Sequence, residues 1–217
     1  MAIGETSMPK NTGWGPQSRH RQSWHDRSIF AARLLRAGDV VCDLGAGSQS
    51  FKQVLPAGVG YVPVDCVDAI PGTYVADFNQ SAFALPDAPY NVLTALGLIN
   101  WLDDPQRFLS RLCKLADGKF FIFTYDLWPS KKNTPGLSHP EIGTLESAVY
   151  LFSPYIRNLT PIIVYRRRVL FSGTLGLGEA CHSVLPSTTK IYLRYLRPQE
   201  YILMKFFGLD MMPRRLA

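Results

Sequence analysis

Between residues 39 and 126 the chain alternates short apolar runs with segments whose apolar positions recur at helical spacing. The runs are "VVCDL" (40–44), "GYVPVD" (60–65), "TYVADFN" (73–79), "YNVLTALGLI" (90–99) and "KFFIFTYD" (119–126). Their length and their Gly, Pro and Asp boundaries predict five buried strands. Before the first run, "SWHDRSIFAARLLRAGD" (23–39) carries Ile29, Phe30, Ala32, Leu34 and Leu35 on a roughly helical face, with Gly38 as its stop. "SFKQVLP" (50–56) predicts a short helix, and "DPQRFLSRLCKLAD" (104–117) one whose Phe108, Leu109, Leu112 and Leu115 share a face. Strands alternating with helices over this span predict an α/β fold, a mostly parallel sheet covered on both faces.

After Asp126 the pattern loosens. The proline-rich stretch 127–143 predicts a loop, "TLESAVYLFSPYIRNL" (144–159) a helix interrupted at Pro154, and 161–176 a strand, a basic edge at Arg166, Arg167 and Arg168, and a returning strand. The first 22 residues, rich in Gly, Pro, Ser and Asn without any period, predict a flexible arm. The expected organisation is therefore an arm (1–22), one domain (23–177) and a basic, apolar extension (178–217). Within that extension nine large apolar residues fall between Tyr201 and Met212, a density that needs a covering surface. Packing on the domain is the first expectation. A homodimer interface or a shallow membrane-surface contact through 198–217, flanked by arginines, are the others.

Composition narrows the function classes. A chain of 217 residues with 47% apolar content suits one well-buried core. No apolar run is long enough to span a bilayer, and the opening residues lack the apolar stretch of an export signal, so a cytoplasmic location is expected. Cys42, Cys66, Cys113 and Cys181 have no metal-ligand spacing, and no metal site is expected. The net charge of +6 is unevenly placed: residues 41–150 carry seven basic against eleven acidic side chains, residues 151–217 ten against three. A cationic flank steers anions of many kinds, so it does not by itself argue for nucleic acid.

The chemistry is concentrated at "CDLGAGSQSF" (42–51). A glycine turn after a first strand aims backbone N–H groups at whatever lies above the sheet. The dinucleotide fingerprint is incomplete, since Ser50 stands at its third glycine. Asp43 points the same way: a diphosphate on this turn would meet a carboxylate, whereas a ligand with ammonium and sulfonium groups would be attracted. Asp65 closes the second strand about 20 residues on, where an acid takes ribose hydroxyls. Asp77 and Phe78 follow the third strand, and Leu96, Gly97 and Leu98 the fourth, all at the carboxyl edge of the predicted sheet.

Together "VVCDLGAGSQSF", "YVPVD", "VADFN" and "YNVLTALGLINWLDDPQRFLSRLCKL" resemble the successive motifs of class I S-adenosylmethionine-dependent methyltransferases over residues 24–126. The resemblance implies a Rossmann-like, doubly wound, seven-stranded sheet with an antiparallel final strand, and S-adenosylmethionine as cofactor. It implies that Gly45 and Gly47 contact the methionine part and Asp65 the ribose, with Asp43, Ala46 and Cys66 also among the cofactor-binding positions. Asp77 would take the adenine amine while Phe78 packs on the ring, with Leu96 and Gly97 covering the other side. Two departures stand out. Gln49 replaces the third glycine of the first motif, and Ile99, Asn100, Trp101 and Leu102 stand where many small-molecule methyltransferases place a histidine. The base candidates are Tyr125, Asp126 and His25, followed by Asp26 and His139. The function expected is methyl transfer to a small-molecule or glycan-type acceptor. The alternative is a non-catalytic member that keeps the fold as an interaction module. A nicotinamide-dependent oxidoreductase would require the third glycine and no Asp43.

Overall fold

The computed structural model describes residues 22–127, 142–165 and 168–177, with side chains from Arg27 onward except those of 163–165. The expected arm, but for Gln22, and the extension 178–217 lie outside these residues.

Helix α1 (Gln22–Ala32) leads into β1 (Val40–Leu44), β2 (Gly60–Asp65), β3 (Tyr74–Val75) and β4 (Val92–Leu96). Helix α2 (Pro105–Ala116), β5 (Phe120–Asp126), α3 (Leu145–Phe152), β6 (Ile156–Tyr165) and β7 (Arg168–Leu175) complete the described chain. The strands form one seven-stranded sheet in the order β3-β2-β1-β4-β5-β7-β6. β1 to β5 run parallel, and β7 is inserted antiparallel between β5 and β6. The strand order reverses between β1 and β4, the place where open α/β sheets leave a crevice at their carboxyl edge.

Side-chain alternation divides the core between the two faces. Val41, Val92, Leu96, Ile122 and Leu170 meet Phe30, Ala31 and Leu34 on the α1 face. Cys42, Leu44, Leu93, Ala95, Phe121 and Phe123 meet Phe108, Leu109 and Leu112 of α2 and Phe152 of α3 on the other. The helices that cover the second face are well terminated. Asp104 caps α2 by accepting from Arg107 N at 2.9 Å, with Pro105 at the first helical position, and Thr144 and Ser147 form a reciprocal capping box on α3.

Four expected elements differ in detail. The third strand shrinks to Tyr74–Val75, because Asp77 folds its carboxylate onto Asn79 N and turns the chain. The segment after the glycine turn is a 3-10 turn, Ser50–Val54. The first helix ends at Ala32, although Leu34 and Leu35 stay buried in the turns that follow. The helix expected over 144–159 stops at Phe152, and β6 starts at Ile156, five residues ahead of Pro161. Helical spacing persists in the sequence there, yet pairing with β7 draws the segment into the sheet, with register shifts between Arg157 and Thr160 and again between Pro161 and Ile163. No helix among the described residues is long and apolar enough to cross a membrane.

Candidate functional site

The glycine turn is built from backbone needs first. Gly45 and Gly47 have φ of 74° and 51°, a region that favours glycine. Gly45 N and Ala46 N both donate to Val64 O, at 2.8 and 3.0 Å, folding the turn across the end of β2. Leu98 presses on it from the β4 side, 3.2 Å from where a Cβ on Gly45 would lie. Among the described residues nothing would meet a Cβ on Gly47 within 4 Å, so none of them covers this part of the turn. Gln49 has φ of 54° and ψ of 31°, the left-handed conformation a glycine would take without strain. Its amide donates to Thr73 Oγ1 at 3.1 Å, which ties the turn to the approach to β3.

Asp65 fixes the other half of the turn. Its Oδ2 accepts from Gly47 N at 2.7 Å and its Oδ1 from Val67 N at 3.4 Å. A carboxylate has roughly four acceptor positions, so capacity remains for hydroxyl donors. Cys66 follows, exposed as a residue, with its thiol pushed up to about 11 by partial burial and then by Asp65.

Asp43 occupies a different position from the one its place in the motif suggests. It lies beneath the turn, only 3% exposed, with Oδ1 accepting from Thr94 Oγ1 and Oδ2 from Tyr61 Oη, each at 2.7 Å. Burial pushes its carboxyl up to about 6, against the two hydrogen bonds and the nearby Arg27, which pull the other way. Both of its carboxylate oxygens are thus engaged by side chains of the neighbouring strands.

Phe78 also departs from expectation. It is 4% exposed and packs edge-on against Phe83 and Phe108, at 5.2 and 5.5 Å between ring centroids. Arg107 and Arg111 of α2 hold this loop by donating to Asn79 O and Phe83 O, so the ring is committed to the core and is withdrawn as an adenine platform. Asp77 stays half-buried at the edge, accepting from Asn79 N and Gln80 Nε2. Leu96 is buried on the α1 face, while Gly97 is half-exposed with φ of 86°.

The base candidates fare worse. Tyr125 is 1% exposed and packs on Phe152, with ring centroids 5.3 Å apart, because its strand position faces the α2 and α3 side of the sheet. Asp126 is held by Arg168 through two contacts, Nε to Oδ1 at 2.5 Å and Nη2 to Oδ2 at 2.7 Å. Asn100 pins the same residue by exchanging hydrogen bonds with its backbone N and O, at 3.0 and 3.2 Å. The Asp126 carboxylate is thus engaged by Arg168, and the Tyr125 ring is committed to the core. His25 lies on α1, but its side chain, like that of Asp26 and all of His139, is outside the described set.

Arg27 is the site residue that sequence reasoning missed. It projects from α1 to the turn after β4, where its guanidinium lies against Gly97. Burial is the main cause that lowers it to about 10, with Arg168 adding to the effect and Asp126 and Asp43 opposing it. One signal existed: Arg27 stands three, four and seven residues before Phe30, Ala31 and Leu34, on the face that α1 buries. The cleft edge is thus acidic at β1 to β3, with Asp43, Asp65 and Asp77, and mixed at β4 to β7, with Arg27, Asp126 and Arg168.

Solved structures share this architecture. A possible exported protein from Bordetella parapertussis superposes with a TM-score of 0.54 at 16% identity, over 72% of this chain and 68% of its own. The N-methyltransferase NodS from Bradyrhizobium japonicum, solved with S-adenosyl-L-homocysteine, gives 0.50 at 10% identity, over 71% and 86%. The fold is that of the class I methyltransferases. Members of that fold do not share one reaction: the [4+2]-cyclase SpnF superposes at 0.51 with 11% identity, over 76% of this chain and 85% of its own. No protein-family model matches the chain, and no curated protein matches it in sequence. At these identities the likeness to the class I methyltransferases is one of fold.

Proposed function

We propose that the protein binds S-adenosylmethionine at the carboxyl edge of β1, β2 and β4 and transfers its methyl group to a small-molecule or glycan-type acceptor. The observation that carries this reading is the bond from Gly47 N to Asp65 Oδ2. It joins a glycine turn that no described residue covers at Gly47 to an acid with free acceptor positions, as a ligand without phosphate but with ribose hydroxyls requires.

Gly45, Ala46 and Gly47 would line the methionine part, with Asp43 supplying negative potential from below. Arg27, buried against Gly97, is suited to a carboxylate at that end. Asp65 and Cys66 would receive the ribose, and Asp77 the adenine amine. When bound, the cofactor supplies an electrophilic methyl on a sulfonium sulfur. The chain's own work would be to hold an acceptor in line and exclude water, since positioning supplies much of the rate in such transfers. With Asp126 in its ion pair and Tyr125 in the core, an acceptor whose nucleophile needs no early deprotonation fits best. A cytoplasmic location goes with this reading.

The same two observations favour a second reading, a non-catalytic protein that retains the fold and the cofactor site. Calorimetric titration with S-adenosylmethionine and S-adenosylhomocysteine, for wild type and Asp65→Ala, tests the first step. Micromolar affinity, about 8 kcal/mol, that is lost in the variant is the expected result; folded wild-type protein that binds neither ligand overturns the cofactor reading. Turnover of bound cofactor in an acceptor screen then separates enzyme from scaffold.

A further inference from the structure

We infer that Asp43 is the residue by which this protein tells the charged cofactor from its neutral product, and that protonating it erases the distinction. The inference rests on the cofactor reading above and adds a selectivity and a pH dependence to it.

The geometry is a closed cluster under the glycine turn. Asp43 projects from β1 and receives Tyr61 Oη from β2 and Thr94 Oγ1 from β4, both neutral donors. The charged and titratable groups that face it are Arg27 from α1, Asp65 from the end of β2, Tyr61, and its neighbour Cys42. Burial raises the Cys42 thiol to about 12 and raises the Tyr61 phenol as well, so both stay neutral in the physiological range. Of this cluster, Asp43 is the member that burial has brought into the pH 5 to 7 window, at about 6.

Loss of the methyl group breaks the sulfur–methyl bond with its electron pair left on sulfur. The ligand therefore loses one positive charge and keeps the rest of its shape. A carboxylate 3% exposed acts through a poorly screened medium, so a unit change of charge above it is felt more strongly than in water. Ionised Asp43 favours the sulfonium form; protonated Asp43 has no such preference. By linkage, binding of the sulfonium ligand near pH 6 must release more protons from Asp43 than binding of the thioether, which keeps only the amino-acid ammonium.

Isothermal titration calorimetry of the wild-type protein, with S-adenosylmethionine and S-adenosylhomocysteine at pH 7.5 and pH 5, reads the effect directly. For a preference of about tenfold, the affinity ratio should fall three- to fivefold at the lower pH. Runs at pH 6 in two buffers of different ionisation enthalpy should show greater proton release with the first ligand than with the second. Asp43→Asn should give a low ratio that does not change with pH, which also sets aside the chain's four histidines. Tyr61→Phe removes a hydrogen bond to the ionised form and should move the midpoint to higher pH, a shift that mere loss of folding would not produce. Binding of both ligands with a ratio that is flat in wild type, or that titrates equally in Asp43→Asn, overturns the inference. Binding of neither ligand to folded protein at pH 7.5 overturns the cofactor reading itself, and this inference with it.

Discussion

The guanidinium of Arg27 fills the space that a side chain at residue 97 would need: Nη1 lies 2.0 Å from the ideal position of a Cβ there. A helix ahead of the first strand is in this way keyed to the turn after the fourth. Gly97 is favoured by its φ of 86°, and any side chain there would have to move the guanidinium aside.

Gly97→Ala should destabilise the protein by about 1 to 3 kcal/mol, part from left-handed strain and part from displacing a buried guanidinium. Made in an Arg27→Ala background, the same change should cost only the backbone share, about 1 kcal/mol. Denaturant unfolding of the four proteins measures the coupling, and equal costs in both backgrounds would show that Arg27 is not the obstacle.

Asp43 makes stability fall as pH rises. Its carboxyl is at about 6 in the fold against 3.8 for an unperturbed aspartate, so the folded protein holds that proton more tightly. The contribution is complete below about pH 3.8 and is lost as pH rises through about 6, amounting to roughly 3 kcal/mol at most. Asp43→Asn lacks this titration. Its unfolding free energy should therefore gain on wild type between pH 4 and pH 7, and a constant difference across that range would contradict the assignment.

Gln49 is a residue in a glycine conformation, held by its bond to Thr73. Gln49→Gly loses the bond and the strain, whereas Gln49→Ala loses the bond and keeps the strain. The glycine variant should be the more stable of the two by about 1 kcal/mol, read as the difference in thermal midpoints. The reverse order would mean that side-chain packing outweighs backbone conformation there.

The pair Arg168 and Asp126 joins β7 to β5 at the cleft edge, with side chains 19% and 28% exposed. Partial burial puts its coupling at about 1 to 2 kcal/mol, between surface and core pairs. A double-mutant cycle with Arg168→Met and Asp126→Asn should recover that value and show it decline only slightly in high salt. A coupling near zero would leave Asn100 as the main restraint on Asp126.

Much of this molecule was legible in its sequence because strand and helix periodicity and turn chemistry are local. The five parallel strands, the apolar face of α2, and the acids at the ends of β1, β2 and β3 all follow from residues within a few positions of one another. The glycines at 45 and 47 announced their turn for the same reason. What the sequence could not assign was the direction and company of individual side chains, which depend on partners 18 to 51 residues away. Asp43, legible as an acid at the turn, is a buried acceptor because Tyr61 and Thr94 reach it from neighbouring strands. Phe78 joined an aromatic core because α2 pins its loop, and Asp126 lost its freedom to Arg168 across an antiparallel register. β6 overrode helical spacing after Phe152 because an unpaired edge of β7 offered more hydrogen bonds than another helical turn. Local pattern determined which elements exist and where a ligand edge must lie; burial and long-range pairing decided which of its polar groups remain available to a ligand.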